Sequence, residues 1–107
     1  MVSRPNDFPR VSLIVINYNG KSLLGSLLDE CLRSLLSTEY PKFEVLFVDN
    51  GSVDESATYV KEKYSKDHKL SVIVLDKNYG YTGAVKRALN FVKGDIIGVL
   101  NNDVIFC

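Results

Sequence analysis

Four short clusters in this 107-residue chain hold the residue types from which a ligand site can be made. They are Asn17-Tyr18-Asn19-Gly20, Asp49-Asn50-Gly51-Ser52, Asp76-Lys77-Asn78-Tyr79-Gly80 and Asn101-Asn102-Asp103. In the last, a carboxylate stands beside amide oxygens. That donor set suits a hard divalent cation, which prefers oxygen ligands. Such a cation can bridge two phosphates and neutralise a diphosphate leaving group. The same three residues would also make an ordinary turn. Asp49 can accept hydrogen bonds from a ribose hydroxyl or a base N–H, and Asp-Asn-Gly-Ser is equally good turn chemistry. Asp54 is open to two readings as well. It can belong to the site, or it can place a negative charge in the first turn of a helix, where the dipole favours it.

Two familiar phosphate loops fail on their glycines. Gly20-Lys21-Ser22 follows an apolar run, where a P-loop would sit, but the motif needs a glycine five residues before Gly20 and Val15 is there. A dinucleotide fingerprint needs G-x-G-x-x-G at the same turn, which has one glycine. Lys21 then reads as a solvated residue at a helix start.

The elements that must position these clusters follow from hydrophobic pattern. Residues 11–16, 43–48, 70–75 and 95–100 are short apolar runs rich in valine and isoleucine. Runs of that kind read as strands covered on both faces, as in a parallel sheet. Between the first two, Leu23, Leu27, Cys31 and Leu35 recur every four residues beside Leu24, Leu28, Leu32 and Leu36. They form a wide apolar stripe, and the helix should end before Pro41. Ser52 and Glu55 have capping-box spacing, with Val53, Ala57, Val60 and Tyr64 as the buried face of a second helix. A third helix is expected from about Thr82 to Lys93, with Ala84, Val85, Ala88, Leu89 and Val92 inward and Gly94 closing it. Strand–helix three times and then a strand, joined by right-handed crossovers, gives a doubly wound, mostly parallel α/β sheet. Residues 1–10 form an irregular lead-in and 11–107 a single domain. Ligands bind such sheets at the carboxyl ends of the strands, and each polar cluster stands at one.

In order and spacing, Val15-Ile16-Asn17-Tyr18-Asn19, Val48-Asp49-Asn50-Gly51-Ser52-Val53-Asp54, Asn78-Tyr79-Gly80 with Gly83, and Leu100-Asn101-Asn102-Asp103 resemble the family 2 glycosyltransferases. The resemblance runs from about 11 to 106. It implies a GT-A, Rossmann-like fold with strand order 3-2-1-4. It further implies hexosyl-type transfer from a UDP-, GDP- or dTDP-sugar, with Mg²⁺ or Mn²⁺, to a saccharide or lipid-linked acceptor. It sets Asn17, Tyr18, Asn19, Asp49, Asp54, Lys77, Asn78, Gly80, Gly83, Asn101 and Asn102 against the nucleotide and makes Asp103 the metal ligand. Asn101 departs from the pattern, standing where the D-x-D motif has its first acid. Enzymes of the family continue well past this point, so the chain is expected to be the nucleotide-sugar-binding half, inactive alone, without acceptor site or catalytic base. Other readings are a non-catalytic nucleotide-binding module and, against the missing glycines, a fragment of a dinucleotide-dependent oxidoreductase.

Composition narrows the partners. Lysine plus arginine equals aspartate plus glutamate, at 13 each, so the chain as a whole has no electrostatic footprint for nucleic acid. The early apolar run 13–16 is far short of the ~20 residues a membrane helix needs. Cys31 and Cys107 lack metal-ligand spacing and suit a reducing compartment. The expected location is cytoplasmic, peripheral at the inner face of the membrane. The fourth strand, apolar at Ile96, Ile97, Val99 and Leu100, is expected to lie at an edge and to mediate self-association.

Overall fold

The computed structural model describes residues 8–101. Four parallel strands, β1 (Val11–Asn17), β2 (Phe43–Asp49), β3 (Leu70–Val74) and β4 (Ile96–Asn101), lie in the order β3-β2-β1-β4. This is the order the family resemblance implies. The paired strands share a level, with Asn17 beside Asp49 and Ile16 beside Asn101. The carboxyl ends of β1, β2 and β4 therefore meet along one rim. Residues 102–107, with Asn102 and Asp103, lie outside the described residues, as does the N-terminal lead-in up to residue 7.

One face of the sheet is covered by α1 (Gly20–Leu24), α2 (Ser26–Leu36) and α3 (Ser56–Lys63). Val15, Leu28, Cys31, Leu32, Leu35, Val45, Phe47 and Val60 are buried together there. The other face packs against α4 (Gly80–Ala88) through Ile14, Leu46, Val48 and Ala88.

Three local expectations need correction. The first helix is two helices, because Gly25 adopts φ 55° and ψ −124° between them. Of the wide apolar stripe, Leu28, Cys31, Leu32 and Leu35 are buried as expected, but Leu23 is 73% and Leu27 42% exposed. The second helix starts at Ser56, and its capping box does not form. The Ser52 hydroxyl is engaged by Asp49, Glu55 is left-handed at φ 65°, and Val53 is 83% exposed. The third helix begins at Gly80 and gives way after Ala88 to a 3₁₀ turn, Leu89–Phe91, which leaves Leu89 exposed. Gly94 does not cap it. A Cβ there would stand 2.6 Å from Ser12 Oγ and 2.8 Å from the Arg10 carbonyl oxygen, so the bare Cα lets the chain press against β1.

A polar joint between α2 and α3 has no counterpart in the hydrophobic pattern. Asp29, on the inner side of α2, accepts hydrogen bonds from Tyr59 Oη (2.6 Å) and Tyr64 Oη (2.8 Å) and pairs with Lys63 Nζ at 3.1 Å. Burial alone would raise its pKa, but these partners outweigh burial and hold it below the usual value. Burial, and after it the contact with Asp29, push the Tyr64 phenol up.

Candidate nucleotide site at the strand ends

Asn17 and Asp49 close β1 and β2 side by side, and their side chains bond directly. Asn17 Nδ2 donates to Asp49 Oδ1 at 2.9 Å and lies 3.2 Å from Ser52 Oγ. Ser52 returns two bonds to the same carboxylate, from Oγ to Oδ1 at 2.5 Å and from its amide to Oδ2 at 3.1 Å. Asp49 is 2% exposed. A carboxylate offers about four lone-pair sites, and the turn occupies three. Asp49 thus serves the turn, as one sequence reading had it, and keeps one acceptor position on Oδ2.

Asn19 ties the β1–α1 turn to the loop after β2. It is left-handed at φ 53°, which asparagine tolerates better than most residues. Its amide donates to Ser52 Oγ (2.8 Å) and its Oδ1 accepts from the Val53 amide (2.9 Å). Two of the first amides of α1 are also taken. Lys21 N donates to Ser56 Oγ at 3.1 Å, and Ser22 donates to Asp54 Oδ2 from both N and Oγ at 2.9 Å. These two amides thus face groups of the chain itself and are not presented to a pyrophosphate at that turn. Asp54 also accepts from the amide and hydroxyl of Ser56. Burial raises its pKa, but the bonds from Ser56 and Ser22 prevail and lower it. Asp54 thus joins α1 to the start of α3.

The third loop is held by Asn50. Its Nδ2 lies 3.1 Å from Asn78 Oδ1 and 3.2 Å from the Gly80 carbonyl, and its Oδ1 accepts from the Tyr79 amide at 2.9 Å. Asn78 Oδ1 also accepts from Gly80 N at 2.7 Å. Gly51, at φ 77°, makes this closeness possible, since a Cβ there would stand 2.4 Å from the Lys77 carbonyl carbon and 2.6 Å from Asn78 N. Lys77 and Asn78 remain exposed. Lys77 Nζ lies 5.2 Å and the Arg87 guanidinium carbon 3.4 Å from the centre of the Tyr79 ring, whose hydroxyl donates to Asp76. Gly80 is left-handed at φ 74° with open space where a Cβ would point. Gly83 is different: a Cβ there would meet Tyr79 Cβ at 2.9 Å, so the bare Cα is filled from within the chain.

The rim thus brings together Asn17, Asn19, Asp49, Asp54, Asn78 and Gly80, with Tyr18 exposed beside them and the Asn101 backbone ending β4 next to β1. Asn50, Gly51, Ser52 and Ser56 are residues whose part in tying the loops sequence reasoning missed. The turn motif marked three of them as turn formers, but their partners come from loops about 30 residues away. Among the described residues no group of three or more His, Cys, Asp or Glu could hold a metal ion; the expected ligand, Asp103, falls outside that set.

Residues 12–106 match the family described as glycosyl transferase family 2. The undecaprenyl-phosphate 4-deoxy-4-formamido-L-arabinose transferase of Proteus mirabilis is 31% identical over 96 residues, which is 89% of this chain and 29% of the relative. Among solved structures, the mannosyltransferase PcManGT from Pyrobaculum calidifontis, in complex with GDP-Man and Mn²⁺, superposes with a TM-score of 0.82. It is 28% identical over 95% of this chain and 30% of its own. TarS 1–349 of S. aureus in complex with UDP-GlcNAc gives a TM-score of 0.74 at 32% identity, over 88% of this chain and 26% of that one. The chain thus spans under a third of the length of these relatives. The parallel sheet, its strand order and the match over nearly the whole chain agree: this chain belongs to glycosyltransferase family 2.

Proposed function

We propose that the rim binds the nucleotide of a nucleoside diphosphate sugar, as the donor-binding part of a hexosyltransferase. The observation that carries this reading is the cross-bonding of the loops after β1, β2 and β3, in which Asn17, Asp49 and Ser52 form one knot and Asn50 and Asn78 the other. Such ties hold polar groups in place before a ligand arrives, which lowers the entropic cost of binding. Asn17, Tyr18 and Asn19 line one side of this nucleotide site, Lys77, Asn78 and Gly80 the other, with Asp49 and Asp54 between. Asn101 and Asn102 are assigned to the diphosphate, and Asp103 to Mg²⁺ or Mn²⁺, by their match to the family's motif. The oxygen donors suit that ion, which would neutralise charge on the diphosphate leaving group. The acceptor, a saccharide or a lipid-linked sugar, and the catalytic base are assigned to sequence that the longer relatives carry outside the matched region.

A dinucleotide-dependent oxidation is disfavoured because Asp54 and Ser56 occupy the amides where a pyrophosphate would sit. A thermal-shift panel of UDP, GDP, dTDP and NAD, with and without Mn²⁺, tests the reading. We expect stabilisation by one nucleoside diphosphate, strengthened by Mn²⁺. Asp49→Asn should weaken the nucleotide's effect, and Asp103→Ala should remove the metal's contribution. A response to NAD alone, or binding that ignores both substitutions, would overturn it. We also propose pairing of two copies along β4, whose Ile96 and Ile97 are exposed at the sheet edge. Light scattering across a dilution series should show dissociation, and a monomer at every concentration refutes it.

A further inference from the structure

The sheet ends at β3 on the side away from β4. Val45 N donates to the Lys69 carbonyl at 2.7 Å, and Leu75 N donates to the Asp49 carbonyl at 2.9 Å. Lys69, Ser71, Ile73 and Leu75 therefore turn their backbone to β2. Strand geometry turns the N–H and C=O of Leu70, Val72 and Val74 the other way, to the open edge. The Leu70 amide donates to the Asp67 carbonyl at 3.3 Å. The amides of Val72 and Val74, and the carbonyls of all three residues, line the edge. Within Leu70-Ser71-Val72-Ile73-Val74 no proline or charge blunts it.

The helices stand back from this edge. Val60 of α3 is buried with Phe47 of β2, and α4 packs on β1 and β2. A cavity of about 190 Å³ opens beside β3 on the α3 face, with Val60, Tyr64, Leu70 and Val72 in its wall. Another of about 430 Å³ opens on the α4 face, with Leu46, Ile73 and Phe91. Val74 is 54% exposed.

We propose that two copies of this chain join β3 to β3, antiparallel, about a two-fold axis through Val72. In this register the two Val72 residues exchange both bonds, and each Val74 amide meets the Leu70 carbonyl of the other copy. On the α3 face Leu70 stands beside Val74 and Val72 beside Val72, apolar pairs that stabilise a sheet. Beyond the strand ends, Asp67 of one copy comes level with Lys77 of the other, and His68 with Asp76. Two-fold symmetry makes each pairing twice. Sliding the copies until Val72 faces Val74 sets Lys69 against Lys77 and Leu70 against Asp76. Like charges directly opposite are unfavourable. Sliding the other way sets Val74 against His68 in the turn before β3 and loses its bond to Leu70. Charge, backbone and apolar pairing thus select one register of a second copy. Since β3 ends at the rim, the two rims point in opposite directions and both stay open. The proposal stands apart from the nucleotide reading, and from pairing at β4, which uses the other edge.

Disulfide trapping in a Cys107→Ser background tests it, since Cys31 is buried. Cα atoms of a bonded antiparallel pair lie about 5.5 Å apart, and a disulfide spans up to about 6.8 Å. Val72→Cys should therefore oxidise to a covalent dimer. Ile73→Cys faces Ser71, which sets it about 7–8 Å from its own copy. Val74→Cys faces Leu70, which sets it about 14 Å from its copy at roughly 3.4 Å per residue. Neither should crosslink. Stronger trapping at Ile73 than at Val72 would mean the shifted register and overturns the proposal. Equal trapping at all three, the mark of random collision, overturns it too, as does trapping at none, which pairing at β4 alone would give. Light scattering is the second measurement, on the chain with Ile97→Lys to charge the β4 edge. There Val74→Lys should weaken the remaining association about tenfold by removing two apolar cross-strand pairs, and Val53→Lys, at another exposed valine, should leave it unaltered. If Val72→Cys fails to fold, this comparison still decides: association that ignores Val74→Lys refutes the pairing.

Discussion

The two ends of the sheet are tied by different means. At the rim, side chains of one loop reach the backbone and side chains of the next, and Asn19, Gly51, Glu55 and Gly80 take left-handed conformations to allow it. At the opposite end main-chain bonds share the work with side chains. Asp95 N and Ile96 N both donate to the Arg10 carbonyl, Gly94 N donates to Ser12 Oγ and Lys93 N to Glu44 Oε2, and no described residue there is left-handed. The contrast fits a division of labour: one end closes the fold, and the other spends conformational freedom to hold polar groups in place, as strained turns at ligand sites do.

Two glycine substitutions test that division most severely. Gly51→Ala and Gly94→Ala each drive a methyl into backbone within 3 Å, and Gly51 adds a left-handed φ. Each should cost about 3 kcal/mol or more in urea melts. Under conditions where both variants remain folded, only Gly51→Ala should lose nucleotide binding; equal losses would erase the distinction between the ends. Leu28→Ala, between the ends, should cost about 2–5 kcal/mol, and Leu27→Ala less than about 1, because only Leu28 is fully buried. Equal costs would mean that the helix is not broken at Gly25. Asn50→Ala should cost about 1–3 kcal/mol by leaving the Tyr79 amide without its acceptor, and it should weaken nucleotide binding. Ser12→Ala should lower stability and leave nucleotide binding intact.

The strands were legible within a residue or so, because nearly continuous apolar runs of that length have few alternatives. The first helix was misread as unbroken because Leu23, Leu24, Leu27 and Leu28 supply two adjacent apolar rows that run on past Gly25. Periodicity does not register the break that Gly25 makes, nor that Leu23 and Leu27 stay exposed. The capping box failed for a related reason. Ser52 and Glu55 have the right spacing, but Asp49 and Asn17 compete for the Ser52 hydroxyl once β1 and β2 pair. The candidate site was legible as four polar strand ends, since each cluster is contiguous. What stayed hidden was the role of Asn50, whose partners in the third loop become neighbours only through strand order. The Asp29 joint was hidden likewise, because one carboxylate in a leucine-rich helix gives no sign of two tyrosines from the next.

The smallest expected effect concerns acid and the rim. Asp54 links α1 to the start of α3 through Ser22 and Ser56, and its folded pKa is lowered from the ordinary value of 3.8. Folding therefore favours its carboxylate form. The stability this adds is present in full above the unfolded pKa and is lost as pH falls through the depressed folded value. Asp54→Asn should lower stability at pH 7, and the gap from the unmodified chain should narrow as pH drops from about 5 toward 3. Asp29, also lowered, titrates in the same window, so both chains lose its share equally and the difference isolates Asp54. Urea melts at several pH values would measure the gap. A gap that stays constant to pH 3 would mean that Asp54 acts through shape alone, and that charge has no part in joining the rim loops.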